Sequence, residues 1–480
     1  MTLFKTTPKA EPASDAAELR PEDEKLPLLP TLGYGIQHIL SMFGGVIAVP
    51  IIIGGAAGLS GAQIALLLSS ALFVSGAATV LQTLGVPYFG SQLPLVQGIS
   101  FASVSTLTTV VTGRGEDGLR AGFGAVIVAA VVAFAIVPFF AQIVRLFPPV
   151  VTGSIITVIG LSLLPVAAGW ITGNATINGA PNPNYASGGN LALAMITLLI
   201  VLVLSKIPAT SRMAILLSLV IGTVLALITG QATWNLGGAS VFALPQPFAF
   251  GLPLFEVGAI VAMTIVMLVI MVETTADILA VGEVVGTKVD AKRVADGLRA
   301  DMAASAIAPV FNSFPATAFA QNVGLVALSG IKSRFVVAAG GIVLAVLGLS
   351  PMLAQIVRVI PGPVLGGAGI ALFGTVAASG IRTLSKVDYQ GTNNLLIVAV
   401  AVSFGLLPNL SASFWNSLPS GLGTVMHSGI SAAAIVAILL NLLFNVWLPG
   451  EPEEPSDIAA APALMVQPSE VEMLSERGDA

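Results

Sequence analysis

Apolar stretches of about twenty residues follow one another along almost the whole chain, and a stretch of that length matches a bilayer hydrocarbon core of roughly 30 Å. Their cores fall at 32–53, 62–83, 95–112, 121–142, 150–170, 189–205 and 211–229, then at 256–285, 295–312, 320–330, 335–350, 361–380, 391–407 and 427–447. Only 9% of the residues are charged and 55% are hydrophobic, whereas a soluble domain carries about 25% charge to cover its surface. These fourteen segments predict an all-α polytopic membrane protein. Segments 3 and 10, at 95–112 and 320–330, are weak spanners. Each follows a proline (Pro94, Pro315) and holds polar residues in its middle. The flanks at 1–30 and 449–480 are acidic and rich in Pro, Ala and Ser, and read as disordered tails. The N-terminus lacks the basic-then-apolar order of a cleaved signal peptide.

Charge asymmetry orients the segments. With both termini in the cytoplasm, Arg145, Lys206, Arg212, Lys288, Lys292, Arg293, Arg299, Lys332, Arg334, Arg382 and Lys386 all fall in cytoplasmic loops. Arg114, Arg120 and Arg358 fall outside. This pattern obeys the positive-inside rule and fits an even number of spans.

The chain also repeats itself. Phe140-Ala-Gln-Ile-Val-Arg145 matches Leu353-Ala-Gln-Ile-Val-Arg358, and a proline pair follows each (Pro148 and Pro149; Pro361 and Pro363). The copies precede segments 5 and 12. An odd number of segments separates them, so they lie on opposite sides of the membrane. That is the signature of two inverted repeats of seven spans, here 31–230 and 250–448. Such repeats place a substrate site near the midplane, where interrupted helices meet; the interrupted segments are 3 and 10.

Several function classes are excluded. There is no cysteine, hence no disulfide, thiolate metal site or cysteine nucleophile. The two histidines, His38 and His427, are far apart, which disfavours a metal site. No basic stripe suggests nucleic acid. No HExxH, P-loop or Ser/His/Asp set is present, so an enzyme or an ATP-driven pump is not expected. No cofactor is expected; coupling energy comes from an ion gradient, or transport is passive.

Charges inside the apolar segments are few, and each costs several kcal/mol unless paired or hydrated. Glu273 and Asp277 in segment 8 are four apart, which puts both carboxylates on one helix face. A carboxylate kept from water beside a like charge can take up and carry a proton. The alternative is a structural carboxylate bonded to hydroxyl or backbone groups. Asp301 in segment 9 is either a snorkelling helix-end residue or part of a coupling network. Gln321 and Asn322 follow the proline-broken start of segment 10. Their amides could meet the alternating C=O and N–H edge of a purine- or pyrimidine-dione, or bond neighbouring helices. Phe101 in segment 3 either packs or stacks on a flat ring, and His38 either bonds structurally or relays protons.

Gln321-Asn-Val-Gly324-Leu-Val-Ala-Leu-Ser329-Gly330 resembles the signature of the nucleobase–ascorbate transporter family, Gln/Glu/Pro-Asn-x-Gly-x4-Thr-Arg/Lys/Gly. The resemblance also covers Gln37-His38, Ser100-Phe101, Glu273, Asp277 and Asp301, and extends over roughly 30–448. It implies fourteen spans as two inverted sevens, with a core domain (spans 1–4 and 8–11) and a gate domain (5–7 and 12–14). Short strands are implied in segments 3 and 10, as are a homodimer and an elevator-like core motion. By the resemblance, Glu273 and Gln321 bind opposite parts of the substrate ring and Phe101 stacks on it. Phe319 is a second aromatic, Ser100 and Ala320 offer backbone contacts, and Asn322, Asp277, Asp301 and His38 serve transport or site architecture. Glutamine followed by asparagine resembles the xanthine and uric acid branch, which implies proton symport of an oxidised purine. The alternatives are uracil or another nucleobase, or an anion exchanger of related architecture. The sequence departs from the pattern at Ser329, where Thr is usual, and at Ala316 and Met302. Ala316 lies close enough to the site to enlarge it.

Overall fold

Proline and glycine set where the apolar stretches begin and break. The computed structural model describes residues 20–140, 144–173, 176–177, 180–234, 240–390, 392–411 and 413–447. Away from water a backbone must satisfy its own N–H and C=O groups, so apolar segments become helices. The first half contains α1 (Leu28–Ala56), α2 (Gly61–Leu84), strand β1 (Gln97–Ile99), α3 (Val104–Val111), α4 (Gly115–Ile136), α5 (Pro149–Thr172), the short strands β2 (Thr176–Ile177) and β3 (Ala180–Pro181), α6 (Gly188–Lys206) and α7 (Ala214–Ile228). The second contains α8 (Val257–Val285), α9 (Ala291–Ile307), β4 (Ala316–Ala318), α10 (Ala320–Ser329), α11 (Arg334–Gly348), α12 (Pro351–Arg358), α13 (Gly362–Leu384), α14 (Asn394–Leu410), α15 (Ser420–His427) and α16 (Gly429–Asn441). Local signals fix the starts. Ser60 caps α2 in a reciprocal capping box with Gln63. Asp290 accepts from the Arg293 N–H to cap α9, and prolines occupy the first turns of α5 and α13.

Among the described residues nine helices are long and apolar enough to cross a membrane, and α11 with α12, bent by 82°, makes a tenth if counted as one. The chain is a multi-pass membrane protein. The other stretches are helical too, but they fall short of that test. α14 is short, α9 carries Lys292, Arg293, Asp296, Arg299 and Asp301, and segments 3 and 10 are each a strand followed by a half-length helix.

The helices approach each other through small residues, as expected where no water drives association. A Cβ at Gly160 would lie 2.2 Å from the Ala377 backbone, and one at Gly380 would lie 2.3 Å from that of Thr157. Gly153 meets Leu384 and Gly362 meets Trp170, so α5 and α13 run antiparallel. The most extensive pairings fall into two sets. One joins α1, α2 and α11 and, through the lesser contact of α2 with α9, also α4, α8 and α9; the other joins α5, α6, α7, α13, α14 and α16.

Residues 20–27 correct the expectation of a disordered tail reaching to residue 30. Pro21–Asp23 form a 3-10 turn and Glu22 is fully buried. Glu22 bonds Arg293 at 2.5 Å, Asp23 bonds Arg334 at 2.6 Å, and the Glu24 carbonyl accepts from Ser333 at 2.5 Å. The tail looked disordered because its partners lie more than 250 residues away in sequence. Residues 1–19, the tail from 449 onward and residues 141–143 of the first repeat copy lie outside the described residues.

Candidate functional site

The two interrupted segments meet each other. β1 and β4 pair antiparallel, with Gln97 opposite Ala318, Gly98 opposite Thr317 and Ile99 opposite Ala316. The ladder continues through the Ser100 N–H to Pro315 C=O (2.9 Å) and the Phe319 N–H to Val96 C=O (3.1 Å). On its free edge the Gln97 N–H donates to the Thr79 hydroxyl oxygen, at 2.9 Å. This two-stranded crossing replaces the backbone bonds that each broken helix loses. Directly after it, α10 begins at Ala320, and a short 3-10 turn at Phe101 leads into α3.

Glycine allows the crossing to close. A Cβ at Gly98 would lie 2.2 Å from the Phe319 ring, and one at Gly45 would lie 2.7 Å from it, so both positions must lack a side chain. Phe319 thus rests on β1 and α1. Its centroid is 6.4 Å from that of Phe101, which also meets Phe373 edge-on at 6.0 Å. Both rings are buried, while Ala320 and Gln321 are exposed. Ser100 is buried, and its own backbone is occupied: the N–H joins the ladder and the C=O accepts from the Ser103 hydroxyl at 2.8 Å.

Helix α8 carries the carboxylates past this crossing. Thr274 fixes its register: its hydroxyl donates to Asp301 Oδ2 at 2.6 Å and lies 3.4 Å from both the Ala318 N–H nitrogen and Thr317 Oγ1. Glu273, the preceding residue, is held beside the end of β4. It is partly exposed, and no hydrogen bond joins its side chain or that of Gln321 to another described residue. Asp277 lies one turn further along and Asp301 lies on α9; both are buried. Asp277 Oδ2 and Asp301 Oδ1 have no partner among the described residues. No ion pair among the described residues reaches any of these three carboxylates.

His38 and Asn322 form the far wall. The Asn322 amide nitrogen donates to the Pro94 carbonyl at 2.7 Å, which turns its Oδ1 toward His38 Nδ1 at 2.5 Å. His38 Nδ1 therefore carries the hydrogen of that bond. One side chain ties α1, the entry to β1 and α10 together. Asn322 and His38 are buried and bonded to each other and to Pro94, whereas the side chains of Glu273 and Gln321 have no hydrogen-bond partner among the described residues.

Sequence reasoning missed Thr274 and Thr317. The signal for Thr274 was a hydroxyl beside a carboxylate in an apolar span, but its neighbour Thr317, on a strand more than 40 residues away, was not visible. A cavity of about 150 Å³ lies elsewhere, between the start of α2 and the α11–α12 bend. Ala62, Ser69, Ser70, Pro245 and Gln355 line it, with no carboxylate.

Comparison with known proteins shows the family of the chain. The xanthine/uric acid permease model, described as a permease family, matches residues 30–414. The chain belongs to this family. The match bears out the expected nucleobase–ascorbate transporter resemblance. A uric acid transporter of Escherichia coli (strain K12) is 39% identical over 443 residues, 90% of this chain and 90% of its own. A xanthine permease of Bacillus subtilis (strain 168) is 38% identical over 433 residues, 89% of this chain and 97% of its own. Among solved structures, the transmembrane domain of a cyanobacterial bicarbonate transporter matches with a TM-score of 0.56 at 16% identity, covering 87% of this chain and 99% of that one. A murine Solute Carrier 26 anion transporter matches at 0.57 and 14%, covering 88% and 69%. At those identities the likeness concerns the fold alone.

Proposed function

We propose that this permease imports an oxidised purine, xanthine or uric acid, in symport with protons. One observation carries the reading: Glu273 and Gln321 stand beside the strand crossing with hydrogen-bonding groups that no described residue takes up. A carboxylate accepts hydrogen bonds from ring N–H groups, and a primary amide presents one donor and one acceptor edge to a dione. Phe101 and Phe319 supply aromatic surface at the same place. Ala320 follows Phe319 with its surface open to a ligand. The curated relatives named for uric acid and for xanthine support the substrate class. Glu273, Asp277 and Asp301 are the groups that carry the proton, with His38 and Asn322 holding the scaffold. No metal or organic cofactor enters the scheme.

The architecture we propose is fourteen crossings in two inverted sevens, with both termini cytoplasmic. In its support, α5 and α13 follow the two repeat copies and pack antiparallel, as do β1 and β4. The first helix set is the moving core that carries the site, and the second is the gate through which two copies associate. Motion of one set against the other gives alternating access.

The test is uptake of radiolabelled xanthine in cells lacking their own purine carriers, with unlabelled urate, uracil, guanine and ascorbate as competitors, with and without a protonophore. Competition by urate, indifference to uracil and collapse with the protonophore are the expected results. Block by uracil would overturn the purine assignment. Uptake indifferent to the protonophore would overturn proton coupling.

A further inference from the structure

One stripe of α9 has no part in binding the ring. Arg293, Gly297 and Asp301 are spaced four apart and share a helix face. At 1.5 Å per residue they span about 12 Å along the axis. Asp301, at the inner end, has a buried Oδ1 without a partner. In the middle, a Cβ at Gly297 would lie 3.1 Å from Gln82 Nε2, 3.2 Å from Ser91 Cβ and 2.6 Å from Ile278 Cδ1. The missing side chain lets Gln82 and Ser91 reach the helix. Both are fully buried, and Gln82 Oε1, Gln82 Nε2 and Ser91 Oγ have no partner among the described residues. At the outer end Arg293 donates to the Ser91 carbonyl (2.6 Å), the Gln92 carbonyl (2.9 Å) and Glu22 Oε1 (2.5 Å). Glu22 Oε2 is buried and equally unpartnered.

A buried polar atom left without a hydrogen bond costs about 1–3 kcal/mol. Native proteins meet such atoms with ordered water when several converge. Along α9 they follow one another as a line from buried Asp301, past Gly297, to the end that meets residues 20–27. We infer that this line is a hydrated path for the coupling proton, in which Gln82 and Ser91 position the water and the Glu22–Arg293 pair closes the outer end. The inference rests on the proton symport proposed above. The transfer is balanced. The O–H bond of the Asp301 carboxyl breaks, the proton passes to the adjacent water, and an equivalent proton leaves at the outer end, where Glu22 Oε2 can accept it. Asp296, on another flank of α9, is held by Lys292 and Arg299 and does not interrupt the line.

Gln82→Leu, Ser91→Ala and Ser91→Thr in the full chain, reconstituted in vesicles, test the path through two readouts. One is accumulation of labelled xanthine driven by an imposed proton gradient. The other is exchange of labelled for unlabelled xanthine at equal pH, which needs no net proton release. For Gln82→Leu and Ser91→Ala we expect accumulation to fall about tenfold, the kinetic equivalent of one lost hydrogen bond, with exchange kept within about twofold. Ser91→Thr, which restores the hydroxyl, should recover accumulation. Wild-type accumulation in both Gln82→Leu and Ser91→Ala overturns the path. So does a parallel loss of both activities in Ser91→Ala, which marks a merely structural residue and decides the case if Gln82→Leu fails to fold. Failure of the wild-type protein to accumulate with the gradient sinks the symport reading instead, whatever the variants do.

Discussion

Two groups of buried or partly buried carboxylates in this protein treat charge in opposite ways. At residues 20–24, Glu22 meets Arg293, and Asp23 meets Arg20 and Arg334. Burial alone would disfavour the charged form of Asp23, but the two arginines outweigh it and hold its carboxyl below the usual range. At the crossing, Glu273, Asp277 and Asp301 meet no cation among the described residues, and only Asp301 is held by a hydroxyl, that of Thr274. Breaking a partly buried ion pair is costly because one charge is left alone. The first group therefore attaches residues 20–24 to the bundle, with Glu22 Oε2 left over at the end of the proposed path. The second keeps groups that stability alone would remove, which is expected where a ligand or a proton must come and go.

The sharpest way to break this contrast is Glu273→Gln. Proton-driven xanthine uptake should fall by about a hundredfold or more, the scale of losing a charge aimed at the ligand, while the melting temperature stays level or rises. A drop in melting temperature with uptake retained would make Glu273 a structural carboxylate and erase the contrast. Next is Asn322→Ala, which removes the bonds to both His38 and Pro94. It should destabilise the protein by about 2–3 kcal/mol, two buried hydrogen bonds, with uptake falling alongside. A stable variant that still transports would mean the wall is dispensable.

Glu22→Gln with Asp23→Asn probes the attached group. Unfolding should become easier by about 1–3 kcal/mol, since Arg293 and Arg334 lose charged partners, while the ranking of competitors stays unchanged. Exchanging the pair, Glu22→Arg with Arg293→Glu, should recover part of the loss; an altered substrate ranking would mean that the segment reaches the site. The smallest effect belongs to the surface pair Arg114–Glu256. The Arg114 hydrogen bond holds Glu256 below 4.5 against the opposing effect of burial. A lowered carboxyl pKa stabilises the fold above the unfolded value and loses that stabilisation as pH falls through the folded one. Wild-type protein should therefore exceed Glu256→Gln by no more than about 0.5 kcal/mol at neutral pH, given solvent screening. The gap should close below pH 4.5; a gap that persists there would have another origin.

The broken segments show how far pattern reading reaches. Pro94 and Pro315 marked both breaks, and the Gln321-Asn322 signature pointed to one side of the site. The four-residue spacing of Glu273 and Asp277 correctly put them on one face of an unbroken helix, α8. Nothing local showed that β1 would pair with β4, because neither three-residue strand could persist alone and more than 200 residues separate them. The same limit hid residues 20–27, whose acidic composition signals disorder until Arg293 and Arg334 are brought beside them.

By itself the sequence determined that this chain lives in a bilayer, where its spans break and which polar residues have no reason to be there except function. Those properties depend on apolar length, proline and the cost of buried charge, all of which act over neighbouring residues. Tertiary structure alone decided which of those polar residues are free. His38, Asn322 and one oxygen of Asp301 are taken up by partners from other helices. Glu273 and Gln321 are not. A hydrogen bond is a matter of a few ångströms in space, and distance along the chain does not encode it.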